Sequence, residues 1–169
     1  TAQMQARTRR FLLVAAVVLP LFSAISLALV SYRVAHTGFP TFTFLAWNLA
    51  LAWCPVLLAG LTFWLHRRGA SLAILAVVGA LWLLFLPNAP YLVTDMIHVR
   101  LADGRLQQFD AVLLATFAIN GVALGYVATY LVHVVAHERL GGLVAWVLIA
   151  GSLCASAVGI YLGRVLRLN

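Results

Sequence analysis

The hydrophobic positions of this chain form five long apolar stretches separated by short polar segments. The stretches cover residues 11–31, 41–65, 70–86, 111–135 and 142–163, and the third continues in broken form to about residue 99. Crossing a bilayer core of about 30 Å takes roughly 20 residues of helix. The pattern therefore predicts an all-α fold: a polytopic transmembrane bundle of about five spans, forming a single domain over residues 1–169.

Composition places the chain among membrane proteins. Hydrophobic residues make up 64% of it and charged residues 9%, and the mean hydropathy is +1.04. The net charge of +7 comes from eleven arginines without a lysine, and they lie at the ends of apolar stretches. Because they form no basic stripe, we expect the lipid bilayer as partner and no nucleic acid. Since Thr1 is not Met and Asn169 follows a charged cluster, we expect a fragment of a longer protein.

The arginines are nearly balanced between the two sides of the predicted bundle. One side holds Arg7, Arg9, Arg10, Arg67, Arg68 and Arg139, and the other holds Arg33, Arg100, Arg105, Arg164 and Arg167. If Arg164 and Arg167 serve a site instead of setting topology, the excess of arginine favours a cytoplasmic N-terminus.

The third span carries two prolines and several polar side chains, which is unusual inside an apolar helix. The prolines are Pro87 and Pro90, and Asp95 and His98 follow them. Proline removes a backbone donor and disturbs the preceding turn, so the third span is predicted to break over residues 87–90. A broken membrane helix that carries ionisable groups is a candidate functional site.

Alternate helix ends lie at the same depth, so residues distant in sequence are predicted to converge. On the side where the third span ends, eight polar residues are expected to surround one outward-facing cavity: Asn48, Asn88, Tyr91, Asp95, His98, Asp110, Arg164 and Arg167. Tyr91, Asp95 and His98 have i, i+4 and i+7 spacing, which places them on one face of a resumed helix.

Two interpretations of this cluster remain open. Two guanidiniums opposite two carboxylates bind the phosphate of an anionic or lipid-linked ligand, or they only neutralise the acids as a structural network. The presence of the titratable His98 favours function, and in an enzyme Asp95 or His98 would be the general base. A minority alternative is a metal site formed by Asp95 and His98 with Asp103 or Asp110.

Two further groups have mainly structural interpretations. Gly121 and Gly125, like Gly159 and Gly163, have the spacing that lets helices approach closely. His133, His137 and Glu138, with His66 near them, form either a separate metal site or, as we expect, a solvated interface cluster.

The chain resembles the bacterial membrane family known as domain of unknown function 1361. The resemblance rests on the segments 44–55, 82–98 and 159–169, with Pro-Asn-Ala-Pro-Tyr at 87–91 and Gly-Arg at 163–164 as their most specific parts. It implies a multi-pass protein of the bacterial inner membrane. It implies no activity, substrate or cofactor.

Three functional hypotheses follow from these patterns. The first is an outward polar cavity that binds an anionic or lipid-linked ligand. The second is a scaffold or accessory subunit in which the same residues form an ion-pair network, and the third is a transporter component, indicated by the broken helix. The sequence contains no nucleophile with a visible base and no cofactor fingerprint, so it does not decide whether the protein is an enzyme.

Overall fold

The chain folds as a bundle of helices. A computed structural model describes residues 2–101 and 106–164, with side chains described over 8–99 and 106–164. The α-helices are α1 (Ala2–Thr37), α2 (Phe44–Arg67), α3 (Leu72–Phe85), α4 (Asn88–Thr94), α5 (Gln107–Leu140) and α6 (Gly142–Arg164), and a 3₁₀ helix (Asp95–Leu101) follows α4. The described residues contain no strand, and five helical stretches are long and apolar enough to cross a membrane. The prediction of an all-α polytopic bundle is confirmed.

Helices α1 and α5 extend beyond their apolar stretches at both ends. The 36 residues of α1 give a rod of about 54 Å, well above the thickness of a bilayer core. Hydropathy marks only the part of a helix that contacts hydrocarbon, whereas polar turns continue the helix where they find partners. Arg33 near the end of α1 and Asp110 near the start of α5 are such partners.

Three polar contacts fix the antiparallel register of α1 and α5. Their members are Thr8 with Tyr130 (3.2 Å), Ser23 with Asn120 (3.0 Å) and Arg33 with Asp110 (2.8 Å). Hydrogen bonds between membrane helices add specificity to packing that is otherwise apolar on both sides. The two helices are therefore joined at both ends and near the middle.

Helix α5 is the centre of the bundle, and its glycines bring α4 close to it. Half of its 18-residue apolar stretch is buried, against 28% or less in the corresponding stretches of the other four spans. A side chain at Gly121 would meet the carbonyl oxygen of Ala89 and lie 2.9 Å from the Cβ of Leu92. The packing predicted for the Gly121 and Gly125 pair is thus seen against α4.

The third span breaks at Leu86 and Pro87, between the end of α3 and the start of α4. Pro87 has no N–H, and the side-chain Nδ2 of Asn88 donates to the carbonyl oxygen of Phe85 over 2.9 Å. Pro90 lies in the first turn of α4, where the backbone N–H has no helical partner in any case. The break is as predicted, but the resumed segment is α-helical only to Thr94 and then continues as the 3₁₀ helix.

Candidate functional site

A polar cluster lies where the start of α2, the 3₁₀ helix and the end of α6 meet. Its centre is the carboxylate of Asp95, which is 1% exposed. Asn48 on α2 donates from Nδ2 to Oδ2 of Asp95 over 2.9 Å, and Arg164 on α6 donates from Nη1 to Oδ1 over 3.1 Å. A buried carboxylate is tolerated when it is paired and hydrogen-bonded. The cluster therefore depends on all three helical segments.

Arg164 attaches the end of α6 to α4. Its Nη1 also donates to the hydroxyl oxygen of Tyr91 over 3.3 Å, and its Nη2 donates to the carbonyl oxygen of Thr94 over 2.9 Å. The guanidinium carbon lies 5.4 Å from the centroid of the Tyr91 ring, within reach of a cation–π contact. The Arg164 side chain is still 25% exposed, so it is open to a ligand.

His98 is oriented by the tighter winding of the 3₁₀ helix, which places residues i and i+3 above one another. Its Nδ1 lies 3.0 Å from the carbonyl oxygen of Asp95 and 3.9 Å from Oδ1 of the same residue. A carbonyl oxygen only accepts, so Nδ1 carries a proton, and a ring with this single proton has a lone pair on Nε2. The imidazole packs 5.0 Å from the ring of Phe44.

These side chains line a pocket of about 500 Å³ that has a polar and an apolar wall. The polar wall consists of Asn48, Asn88, Tyr91, Asp95, His98 and Arg164, and Phe44, Leu51 and Leu84 contribute to the apolar wall. Leu84 is 70% exposed and marks the side that faces lipid. Six of the eight residues predicted to converge thus line one pocket.

Asp110 is in a different environment. It is fully buried, and Arg33 donates to both of its carboxylate oxygens over 2.8 and 3.1 Å. Arg33 also lies 5.6 Å from the ring centroid of Phe42. The side chains described along the pocket do not include Asp110, which instead joins α5 to α1.

Arg167 and Asp103, also named from the sequence, lie outside the described residues. Within residues 2–101 and 106–164, no group of three His, Cys, Asp or Glu side chains is arranged to hold a metal ion. The two described carboxylates of the minority metal set, Asp95 and Asp110, each have an arginine partner.

A second polar network closes the opposite end of the bundle. Glu138 contacts Nε2 of His66 over 2.7 Å and accepts from Arg67 over 3.2 Å, while Arg139 donates to Nδ1 of His66 over 2.8 Å. Because an arginine N–H only donates, Nδ1 of His66 accepts and its Nε2 donates to Glu138. The network ties the end of α2 to the end of α5.

His133 and His137 line a separate pocket together with aromatic side chains, which include Tyr130 and Trp146. Their rings lie 6.0 Å apart, and the His133 ring lies 4.6 Å from that of Trp146. Glu138 is therefore engaged with α2 and does not join the two histidines in a shared site.

Two contributors to the polar cluster are not among the residues predicted from the sequence. Thr94 supplies a backbone carbonyl, which no side-chain pattern reports. Phe44 supplies a ring against His98, and its place four residues before Asn48 on α2 is a spacing that could have revealed it.

The helices and the pocket define a multi-pass helical membrane protein with a polar cluster at one end of its bundle. The family described as "Protein of unknown function (DUF1361)" matches residues 47–169, which is well over half of the chain. The chain belongs to this family, and the resemblance seen in the sequence is confirmed. No curated protein and no solved structure matches it.

Proposed function

We propose that the pocket binds the polar headgroup of a membrane amphiphile, either a lipid or a lipid-linked molecule. The observation that carries the proposal is that a polar wall and an apolar wall line the same pocket. Asn48, Asp95 and Arg164 form a polar wall, and it adjoins leucines such as Leu84 that face lipid. Such a pocket suits a molecule with a polar head and an apolar tail.

The position of the pocket supports the same proposal. It lies at the same ends of two membrane stretches, Leu72–Val99 and Gly142–Arg164. Helix ends of membrane spans lie near the level of lipid headgroups. In the orientation that we expect, with the N-terminus in the cytoplasm of a bacterium, the pocket opens to the outer face of the inner membrane.

Arg164 is the residue that we propose to contact an anionic oxygen of the ligand. Three of the five N–H groups of its guanidinium are used by Tyr91, Thr94 and Asp95, which leaves two without an acceptor among the described side chains and backbone. Because Asp95 already balances its charge, the pocket suits a single phosphodiester better than a multiply charged anion.

A structural scaffold is the second candidate function. The observation that favours it is the pairing of Asp95 with Asn48 of α2 and Arg164 of α6, which joins three segments without any ligand. A scaffold requires these contacts and does not require the pocket to be filled.

The experiment blocks the pocket and leaves the cluster intact. Leu84→Trp places a large ring on the apolar wall, and Leu81→Trp, on the same helix and also exposed, is the matched control. Native mass spectrometry of protein purified in mild detergent counts the bound amphiphiles. We expect one bound molecule per chain in the wild type and in Leu81→Trp, and its loss in Leu84→Trp.

A second pair of variants tests the anion contact. Arg164→Gln should weaken binding of the amphiphile, whereas Arg68→Gln, at an exposed helix end over the ring of Trp64, should leave it unchanged. Equal binding by the wild type, Leu84→Trp and Arg164→Gln would contradict the proposal and favour the scaffold.

A further inference from the structure

The hydrogen-bonding groups of the pocket have a fixed direction, and they can be assigned one by one. Asn48 donates from Nδ2 to a carboxylate, and Asn88 donates from Nδ2 to a backbone carbonyl. Both partners can only accept, so the amide orientations are determined and each Oδ1 remains an acceptor. No described group donates to either oxygen.

His98 adds a third acceptor by the same reasoning. Its Nδ1–H is directed to the carbonyl oxygen of Asp95, so a ring with this single proton offers the lone pair of Nε2. The free donors of the pocket come from only two side chains, Tyr91 and Arg164. Tyr91 accepts from Arg164 and keeps its own O–H free, and the guanidinium keeps two N–H groups.

Three open acceptors restrict the chemistry of the ligand. A bare phosphate offers oxygen acceptors that suit Arg164 and Tyr91, but it would leave the two amide oxygens and Nε2 of His98 without donors. Polar groups that are covered and left unpaired reduce affinity. Hydroxyl groups donate and accept, so they satisfy these acceptors while the phosphate contacts the guanidinium.

From this inventory we infer that the pocket selects a headgroup with several hydroxyls, such as a glycerol or a sugar, joined to a phosphodiester. The inference rests on the proposed function and names its ligand class. The opposite charges of Asp95 and Arg164 nearly cancel, so hydrogen bonding and not net charge sets the selectivity.

Two lipids of equal charge separate this inference from simple anion binding. Phosphatidylglycerol carries two hydroxyls, and phosphatidylethanol carries the same phosphodiester and tails without them. Both are titrated into the delipidated, full-length protein and followed by native mass spectrometry. Since one neutral hydrogen bond changes affinity by about 2- to 10-fold, the two hydroxyls should make phosphatidylglycerol bind about 4- to 100-fold more tightly. Phosphatidylinositol, which joins a ring with several hydroxyls to the same phosphodiester at the same charge, is the third probe, and binding tighter than that of phosphatidylethanol would likewise support the inference and identify a ring polyol as the source of the hydroxyls.

His98→Phe removes one acceptor and keeps a ring against Phe44. It should reduce the preference for phosphatidylglycerol about 2- to 10-fold, whereas His36→Phe, an exposed histidine stacked on Tyr32, should leave it unchanged. Thermal unfolding in the same detergent shows whether each variant is folded. Asn88→Ala, which removes another acceptor, gives an independent measurement of the same loss.

The results distinguish failure of the inference from failure of the proposed function. If Leu84→Trp abolishes binding but neither hydroxylated lipid binds more tightly than phosphatidylethanol, the pocket binds amphiphiles and the inference is wrong. If Leu84→Trp binds all three lipids as the wild type does, the pocket is not the binding site and both are wrong.

Discussion

The two buried carboxylates should respond very differently to the loss of their charge. Asp110 is 0% exposed and receives two hydrogen bonds from Arg33, whose side chain is only 8% exposed. Asp110→Asn removes the carboxylate with which this buried guanidinium is paired. Breaking a buried ion pair in this way costs about 3–5 kcal/mol of folding free energy.

Asp95→Asn should cost less, although Asp95 is almost equally buried. Its arginine partner, Arg164, is 25% exposed and keeps the Tyr91 and Thr94 acceptors, so water and protein still solvate the charge. The carboxamide also keeps one oxygen that can accept. We expect a loss of about 1–2 kcal/mol, in the range for one imperfect hydrogen bond.

The free energy of unfolding is measured for both variants in one detergent and lipid mixture, with reversible unfolding verified by refolding. The double substitution Arg33→Met, Asp110→Leu is the control, because removing both charges of a buried pair is often neutral. It should recover most of the stability lost in Asp110→Asn. A loss in Asp95→Asn that equals or exceeds the loss in Asp110→Asn would refute the assignment of Asp110 as the structural carboxylate.

Two further predictions concern helix packing. Gly159→Ala should lower the thermal stability of the protein, since the new Cβ would lie 2.9 Å from Cγ of the rigid Pro87 ring. Gly151→Ala on the same helix is the control. Its Cβ would meet nothing within 4 Å, so it should be neutral or slightly stabilising in thermal unfolding. Trp53→Phe should lower the unfolding free energy by about 1 kcal/mol, because it removes the 3.1 Å hydrogen bond from Nε1 to Ser23; no change would show that this bond is not formed in the membrane.

Much of the fold could be predicted from the sequence because a membrane-spanning helix needs about 20 apolar residues in a row, and such runs are visible in the sequence. The break at Pro87 could be predicted as well, since a missing backbone donor acts locally. The ends of α1 and α5 could not, because Arg33 and Asp110 extend the helices through a contact between residues 77 positions apart. The hydropathy of a segment does not indicate that Arg33 and Asp110 pair with each other.

For the candidate site, the sequence predicts how deep each residue lies in the bundle but not which neighbouring helix its side chain faces. Helix-end alignment placed Asp95, Asp110 and Arg164 at one level of the bundle. It could not tell which helix each side chain faces, and Asp110 faces α1 while Asp95 faces α2 and α6. Arg33 was counted as a topology signal, although its side chain is buried in an ion pair. A side-chain pattern gives depth from chain position, whereas direction around the bundle depends on how the helices pack.

The residues around Asp95 and the arginine that pairs with Asp110 differ in whether they lie inside the segment that matches the family. All six polar residues that line the pocket lie within the matched residues 47–169, whereas the Arg33 that neutralises Asp110 lies before them. The polar wall of the pocket is thus complete within the matched residues, and Phe44 of the apolar wall lies just before them. Helix α1 makes polar contacts with the matched residues Asp110, Tyr130, Asn120 and Trp53, so its removal should expose a buried carboxylate without removing any polar group of the pocket. A function common to the family is therefore better sought at Asp95 than at Asp110.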